Sequence, residues 1–139
     1  MAVVFTIPFR AQGKGRPRFS RKGDAVRTHT PRATKAFENV VKHYAEQAMK
    51  GRAPLTGPIH LSVVAYFAPP ASATRKARAD MLAGLRHPEI KPDFDNFAKA
   101  VADALQGIGF GDDKSITWAT IGKRYGPADE MTITIEGDE

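Results

Sequence analysis

Residues 91–116, KPDFDNFAKAVADALQGIGFGDDKSI, decide the interpretation of this 139-residue chain. Apolar residues recur here at intervals of three and four, which is the spacing of the buried face of an α-helix. Asp93, directly after Pro92, can cap such a helix, and Gly107 stands where the helix should stop. The stretch therefore predicts an amphipathic helix with an apolar stripe of Phe94, Phe97, Val101, Leu105 and Ile108.

The polar face of this helix gathers negative charge around one lysine. Asp95, Lys99 and Asp103 follow one another at four-residue steps, so they share a face that points away from the apolar stripe. The turn GIGFG can then fold the chain back and bring the Asp112–Asp113 pair towards the helix start, where Asp93 lies.

Carboxylates clustered in this way allow two interpretations. Ionised acids at close range oppose one another's ionisation unless a cation lies between them, and a site built of oxygen atoms suits a hard cation such as Mg²⁺ or Mn²⁺. Alternatively, Asp95, Lys99 and Asp103 form a solvated ion-pair ladder, while Asp93 is a helix cap and Asp112–Asp113 an ordinary turn. The spacing alone favours neither interpretation.

The string PDFDNFAKAVADAL, followed by the glycine turn and DDKSI, resembles the signature of the RusA family of Holliday junction resolvases, which phages and prophages often encode. The pattern is an acid, any residue, Asp-Asn, a lysine, Asp-Ala-Leu and later a pair of aspartates. It is met here at Asp93, Asp95, Asn96, Lys99, Asp103, Asp112 and Asp113. The positions that match the family pattern are concentrated in residues 91–116, and the resemblance is weaker elsewhere.

This resemblance implies a site and an activity. The family's essential acids fall on Asp93, Asp95 and Asp113, and its essential lysine falls on Lys99. Asp112 is a further candidate metal ligand. The implied enzyme is a Mg²⁺-dependent endodeoxyribonuclease, with Mn²⁺ as an alternative metal, that resolves four-way DNA junctions in recombination and repair. Symmetric cutting of two strands needs two active sites, so a homodimer is also implied.

Composition and charge agree with a nucleic-acid enzyme. Residues 1–91 carry 17 Lys and Arg against 5 Asp and Glu, whereas residues 92–139 carry 4 against 10. Basic groups that hold phosphates beside acids that hold a metal are what a nuclease needs. The absence of cysteine excludes disulfides and thiolate chemistry. With no export signal and no apolar run of membrane-spanning length, we expect a cytoplasmic protein of a bacterial or phage-infected cell that does not act on membranes.

Two basic segments are candidate DNA contacts. Residues 14–28 contain six cations and one acid around a Lys22-Gly23-Asp24 turn, which predicts a hairpin and favours a phosphate-binding arm over a merely solvated one. Residues 74–84 predict a short helix in a basic excursion, which solvated charge explains equally well. The candidate DNA-binding residues are Lys14, Arg16, Arg18, Arg21, Lys22, Arg27, Arg75, Lys76 and Arg78.

The rest of the chain predicts further strands and one more helix. Runs of β-branched and aromatic residues predict strands at 2–8, 59–67, 115–125 and 131–136. The last two are expected to pair antiparallel with each other. Thr30 as cap and Pro31 as first residue predict a helix that ends near Gly51. We therefore expect one domain, residues 1–139, of α/β (α+β) class, with two main helices on a mixed or antiparallel sheet.

The residues themselves show no recognition of a four-way junction, which rests on the resemblance. One alternative is a general nuclease that applies the same chemistry to flaps or other branched DNA. Another is a non-catalytic nucleic-acid-binding module, in which the acids are a relic or a structural metal site.

Overall fold

A long central strand organises the structure, a computed structural model that describes residues 1–15, 18–23, 25–29 and 31–139. In chain order the strands and helices are β1 (Ala2–Ile7), β2 (Arg18–Lys22), β3 (Ala25–His29), α1 (Arg32–Met49), β4 (Thr56–Phe67), α2 (Arg75–Leu82), α3 (Phe94–Leu105), β5 (Ile116–Tyr125) and β6 (Glu130–Asp138). A 3₁₀ turn, Asp113–Ser115, leads into β5. Arg16, Asp24 and Thr30, which the sequence analysis singled out, lie outside the described residues.

Four strands form a mixed sheet in the order β1-β6-β4-β5. β4 is parallel to β5 and antiparallel to β6, and β1 is antiparallel to β6. Alternate residues of β4 are buried from Ile59 to Phe67, so one face of the sheet carries the core while the other is partly exposed. β2 and β3 pair antiparallel as a separate two-stranded sheet, which confirms the predicted hairpin.

The predicted antiparallel pairing of the last two strands is wrong, because β4 lies between β5 and β6. The linker 126–129 passes over the end of β4, where Gly126 N–H donates to the Phe67 carbonyl (3.0 Å) and the Asp129 carboxylate accepts from Ala68 N–H (2.8 Å). Four residues span up to about 14 Å, more than the roughly 10 Å between strands two places apart. Both edges of the buried β4 need hydrogen-bonded partners, and this requirement overrides the local hairpin preference.

Two helices cover the buried face of the sheet. α1 packs against α3 and β1, and α3 packs against β5. The main buried residues of these helices are Phe37, Val41, Ala45 and Met49 on α1, and Phe97, Val101 and Leu105 on α3. The predicted fold class, with a mixed sheet and two main helices, is confirmed, and the 8-residue α2 is a minor third helix.

The start of α3 differs from the prediction in two details. Phe94 is 62% exposed, because it is the first helical residue and the core begins to cover the helix only at Phe97, one turn later. Asp93 occupies the N-cap position but makes no side-chain capping hydrogen bond within the described part of the chain. An exposed aromatic ring and a carboxylate not used for capping therefore stand at this end of the helix.

The other helix boundaries follow local signals. α1 begins at Arg32, one residue later than predicted, and it ends where Lys50 (φ 52°) and Gly51 (φ 76°) take left-handed conformations. α2 confirms the short helix predicted within 74–84, and the hydroxyl of Thr74 accepts from Ala77 N–H at 3.1 Å to cap it. Among the described residues, no helix is long and apolar enough to cross a membrane.

Candidate active site

One ion pair joins α3 to the 3₁₀ turn. Lys99 Nζ lies 2.7 Å from Asp113 Oδ2 and 3.1 Å from Asp103 Oδ1. Asp103 is one helical turn away on α3, whereas Asp113 is fourteen residues further along the chain. The glycine turn folds back as predicted, with Gly107 at φ 81° and its N–H donating to the Phe110 carbonyl at 2.7 Å. The side chain of Asp113 is therefore paired with Lys99 on the helix, within a turn that is largely exposed to solvent.

Asp103 links this pair to the N-terminal loop. Its second oxygen, Oδ2, pairs with the ammonium of Lys14, and Lys14 Nζ also lies 3.9 Å from Glu38 Oε1 on α1. The side chains of Asp103 and Glu38 are each 17% exposed and that of Lys14 is 32% exposed. Charges thus alternate along a chain of five residues: Glu38, Lys14, Asp103, Lys99 and Asp113.

The loop that carries Lys14 runs closely between the two main helices. Lys14 N–H donates to Asn96 Oδ1 (3.1 Å), and Gly15 N–H donates to Thr34 Oγ1 (2.8 Å). A Cβ at Gly13 would lie 2.5 Å from Asn96 Nδ2, and one at Gly15 would lie 2.9 Å from Thr34 Oγ1. A larger residue at either position would have to displace these side chains, so the two glycines let the loop lie close to the helices on both sides of Lys14.

The other acids of the motif are exposed around this network. Asp93 and Asp95 lie at the start of α3, and no ion pair of either is found among the described residues, so the predicted ladder reduces to its Lys99–Asp103 step. Asp112 Oδ1 accepts from Lys114 N–H (3.0 Å) and caps the 3₁₀ turn. A shallow pocket at the helix start is lined by Gln12, Gly13, Lys91, Pro92, Asp93 and Asn96.

Proximity shifts the pKa values of Lys99 and Asp113 in opposite directions. The pKa of Lys99 is raised above its ordinary 10.5, first by the hydrogen bond to Asp113 and then by that to Asp103. The pKa of Asp113 is lowered below its ordinary 3.8, chiefly by the hydrogen bond from Lys99. Both groups are therefore charged at neutral pH, and Lys99 acts there as a hydrogen-bond donor, not as a proton acceptor.

The sequence is similar to known proteins over nearly all its length. The model of the family described as Endodeoxyribonuclease RusA matches residues 8–136. The chain belongs to the RusA family. It is also 30% identical over 135 residues to Uncharacterized protein YqaN of Bacillus subtilis (strain 168), and the match covers 96% of this chain and 94% of that protein. The family is one of endodeoxyribonucleases that act on branched DNA, and the resemblance found in the sequence is confirmed.

The acids of the RusA motif suit a hard divalent cation in their chemistry, because all their donor atoms are carboxylate oxygens. Asp93 and Asp95 come from the start of α3, and Asp112 and Asp113 come from the 3₁₀ turn that Lys99 ties to this helix. Within the described residues, no three His, Asp or Glu side chains already stand as a metal-binding group. Coordination therefore requires these exposed side chains to turn towards one another.

The structure shows the surroundings of several of the predicted DNA-binding residues. Lys14 is engaged by Asp103 and Glu38, and Arg78 donates to the carbonyl of Pro70 at 3.2 Å. The side chains of Arg21, Arg75 and Lys76 are exposed. Arg18, Lys22 and Arg27 lie in the hairpin, where only the backbone is described. Their contact with DNA stays a prediction.

Sequence reasoning missed Glu38 and the position of Lys14 between two helices. Glu38 lies in the middle of α1, and no spacing rule connects positions 14, 38 and 103. The signal in the sequence was Lys14 itself, a cation between two glycines, which often mark a close approach of the backbone. Asn96 belongs to the RusA pattern, and the structure shows a contact for it, since its side-chain oxygen accepts the Lys14 N–H.

Proposed function

We propose that this chain is a Mg²⁺-dependent, structure-specific endodeoxyribonuclease that resolves four-way DNA junctions by symmetric phosphodiester hydrolysis. The ion pair between Lys99 and Asp113 is the observation that carries the proposal. It brings together the two halves of the RusA motif, which the glycine turn separates in sequence. Membership of the family supplies the reaction class.

Asp93, Asp95 and Asp113 would hold the metal, with Asp112 as a further ligand. A bound Mg²⁺ or Mn²⁺ supplies activation of the attacking water and neutralisation of the phosphate. Asp93 is suited to this role because its carboxylate makes no capping bond to α3 in the described part of the chain. Asp112 is less suited, because one of its oxygens caps the 3₁₀ turn.

Lys99 is the proposed electrostatic catalyst. Its raised pKa keeps the ammonium protonated at neutral pH, so it can donate to a non-bridging phosphate oxygen as negative charge grows there. Water adds to phosphorus, the P–O ester bond breaks, and the leaving oxygen takes up a proton. Asp103, whose Oδ1 lies 3.1 Å from Lys99 Nζ, orients the ammonium.

Symmetric cutting of a four-way junction requires a site for each of two strands, so we propose a homodimer with one site in each protomer. The excess of Lys and Arg in residues 1–91, 17 against 5 acids, would attract DNA phosphates towards the acidic site. We place the activity in DNA recombination and repair, in the cytoplasm of a bacterial or phage-infected cell.

A cleavage assay on three labelled substrates tests the proposal. The protein is incubated with a four-way junction, a flap or a linear duplex, in Mg²⁺, Mn²⁺ or EDTA. We expect paired nicks at symmetric positions in the junction, only with a divalent metal, and little cutting of the duplex. Equal cutting of flap and junction would instead indicate a general branched-DNA nuclease. DNA binding without cleavage in either metal would indicate a non-catalytic module.

A further inference from the structure

A basic site outside the candidate active site lies where the segment after α2 meets the end of β5. A pocket of about 430 Å³ opens there. Its lining residues are Tyr66, Leu82, Ala83, Gly84, Arg86, His87, Arg124 and Tyr125. They contribute two guanidinium groups and an imidazole but no carboxylate. Such a lining suits an anionic group that also brings an apolar or aromatic surface.

The two arginines of this pocket are available to a ligand. Arg86 and Arg124 are both exposed, and neither has an ion-pair partner among the residues that the structure describes. Arg124 is the register partner of Tyr66 on β4, so both point to the face of the sheet opposite the core. A guanidinium beside a tyrosine ring can bind a phosphate in two hydrogen bonds while the ring contacts the attached sugar or base.

The segment that contributes Arg86 and His87 to this pocket leads along the chain into the candidate active site. Lys123, the neighbour of Arg124, points to the opposite side of β5, where its ammonium donates to the carbonyl of Ile90. The segment from Arg86 to Asp93 therefore lies beside the end of β5 and continues into the first acid of the RusA motif. Seven residues span at most about 25 Å, which equals about seven nucleotides of one DNA strand at 3.4 Å each.

We infer that Arg86 and Arg124 form a phosphate-binding site for a DNA arm, with its contacts within about seven nucleotides of the cleaved bond. This inference rests on the proposed function in taking DNA as the ligand. It adds a contact surface on the outer face of the sheet to those predicted on the N-terminal hairpin and α2. An acidic segment of a partner protein is the rival ligand, and it would leave DNA affinity independent of these arginines.

The test compares junction binding by the wild type and by the double variant Arg86→Gln/Arg124→Gln, without divalent cations so that no cutting occurs. Removal of two phosphate-binding cations should reduce the slope of log affinity against log salt by about 1.8, at 0.9 for each phosphate. Lys42→Gln/Lys50→Gln removes the same charge from the α1 region and should leave the slope within 0.3 of the wild type, a margin of roughly one third of the effect of one phosphate. Both arginines are exposed, so equal thermal melting of the two proteins is expected.

Neutral DNA linkages locate the bound phosphates. Junctions carry three consecutive methylphosphonates at successive positions from the crossover. At one position within about seven nucleotides of the cleaved bond, the methylphosphonates should weaken wild-type binding. They should not change binding by Arg86→Gln/Arg124→Gln, because that variant no longer binds those phosphates. An unchanged salt slope, an equal fall in the Lys42/Lys50 control, or the same methylphosphonate profile in both proteins would overturn the inference.

The outcome also separates this inference from the proposed function. If the wild type resolves junctions and the arginine variant binds like it, only the second phosphate site is wrong. If the wild type binds branched DNA through Arg86 and Arg124 but cuts none with Mg²⁺ or Mn²⁺, the phosphate site stands and the nuclease proposal fails. If the wild type binds no DNA, both fail.

Discussion

Lys14 of the N-terminal loop and Lys99 of α3 bind the two oxygens of one carboxylate. The ammonium of Lys14 pairs with Asp103 Oδ2, and Lys99 Nζ lies 3.1 Å from Asp103 Oδ1. Because the two cations share this anion, removal of either one leaves Asp103 to attract the other more strongly. The N-terminal loop is thereby coupled to the residue that we propose to act on the scissile phosphate.

Substitution of Lys14 by methionine tests whether this lysine is structural. The variant leaves Asp103 and Glu38, both mostly buried, without their shared cation, so the free energy of unfolding should fall by about 1–3 kcal/mol. If the ammonium acts only within this network, the salt slope of DNA binding should stay unchanged. Lys35→Met, at an exposed site on α1, is the matched control for urea unfolding. Unchanged stability with a reduced slope would instead show that Lys14 contacts DNA.

The three proposed metal ligands should separate cleavage from binding. Asparagine at Asp93, Asp95 or Asp113 should abolish junction cleavage in Mg²⁺, while junction binding stays equal or becomes tighter because negative charge has been removed near DNA. Asp112→Asn is the control and should lose less activity, since Asp112 already caps the 3₁₀ turn. Gel cleavage and fluorescence anisotropy on the same preparations measure both properties. Full activity of Asp95→Asn would show that the assignment is wrong.

Lys99→Ala distinguishes a catalytic lysine from a charge-balancing one. If Lys99 contacts the reacting phosphate, the single-turnover rate should fall by about 100-fold or more, as when other transition-state donors are removed. Excess Mg²⁺ should not restore it. Lys114→Ala, an exposed lysine on the neighbouring turn, should cut at the normal rate. A near-normal rate for Lys99→Ala at saturating Mg²⁺ would reduce Lys99 to a structural role.

The Lys99–Asp113 pair predicts a pH range of constant stability. Asp113 has a lowered pKa, so its contribution is complete above 3.8 and is lost as the pH falls through its folded value. Lys99 has a raised pKa, so its contribution is complete below 10.5 and is lost as the pH rises further. The melting-temperature difference between the wild type and Asp113→Asn should therefore be constant from about pH 5 to 9 and shrink below 3.8. A difference that changes steadily between pH 5 and 9 would contradict the pairing.

The basic hairpin remains the predicted DNA-binding arm. Arg16→Glu/Arg18→Glu should weaken junction binding and reduce the salt slope by about 0.9 for each phosphate that the variant no longer binds. The control is Lys42→Glu on α1, for which we expect no change in slope. If the slope of the double variant also stays unchanged, the DNA lies elsewhere, most simply against the exposed Arg75 and Lys76 of α2.

Sequence reasoning predicted those parts of the structure that depend on local chemistry. The apolar period of α3 placed Phe97, Val101 and Leu105 in the core, and alternation along β4 predicted its buried face. It failed at Phe94, which the helical period includes but which stands beyond the covered part of the helix. It also failed for the pairing of β5 and β6. The short linker between them suggested a hairpin, but β4 lies between the two strands and hydrogen-bonds to both.

The sequence by itself determined the RusA family, the helix that carries the acids and the four-residue step from Lys99 to Asp103, since spacing and residue type are sufficient for these. Only the tertiary structure decided that Asp113 returns to Lys99, that Lys14 shares Asp103, and that Arg86 and Arg124 line one pocket. The physical reason is that these pairs join positions 14 to 89 residues apart. Their geometry depends on the order of the strands in the sheet and on where glycines let loops approach helices. The spacing of residues in the sequence predicts neither.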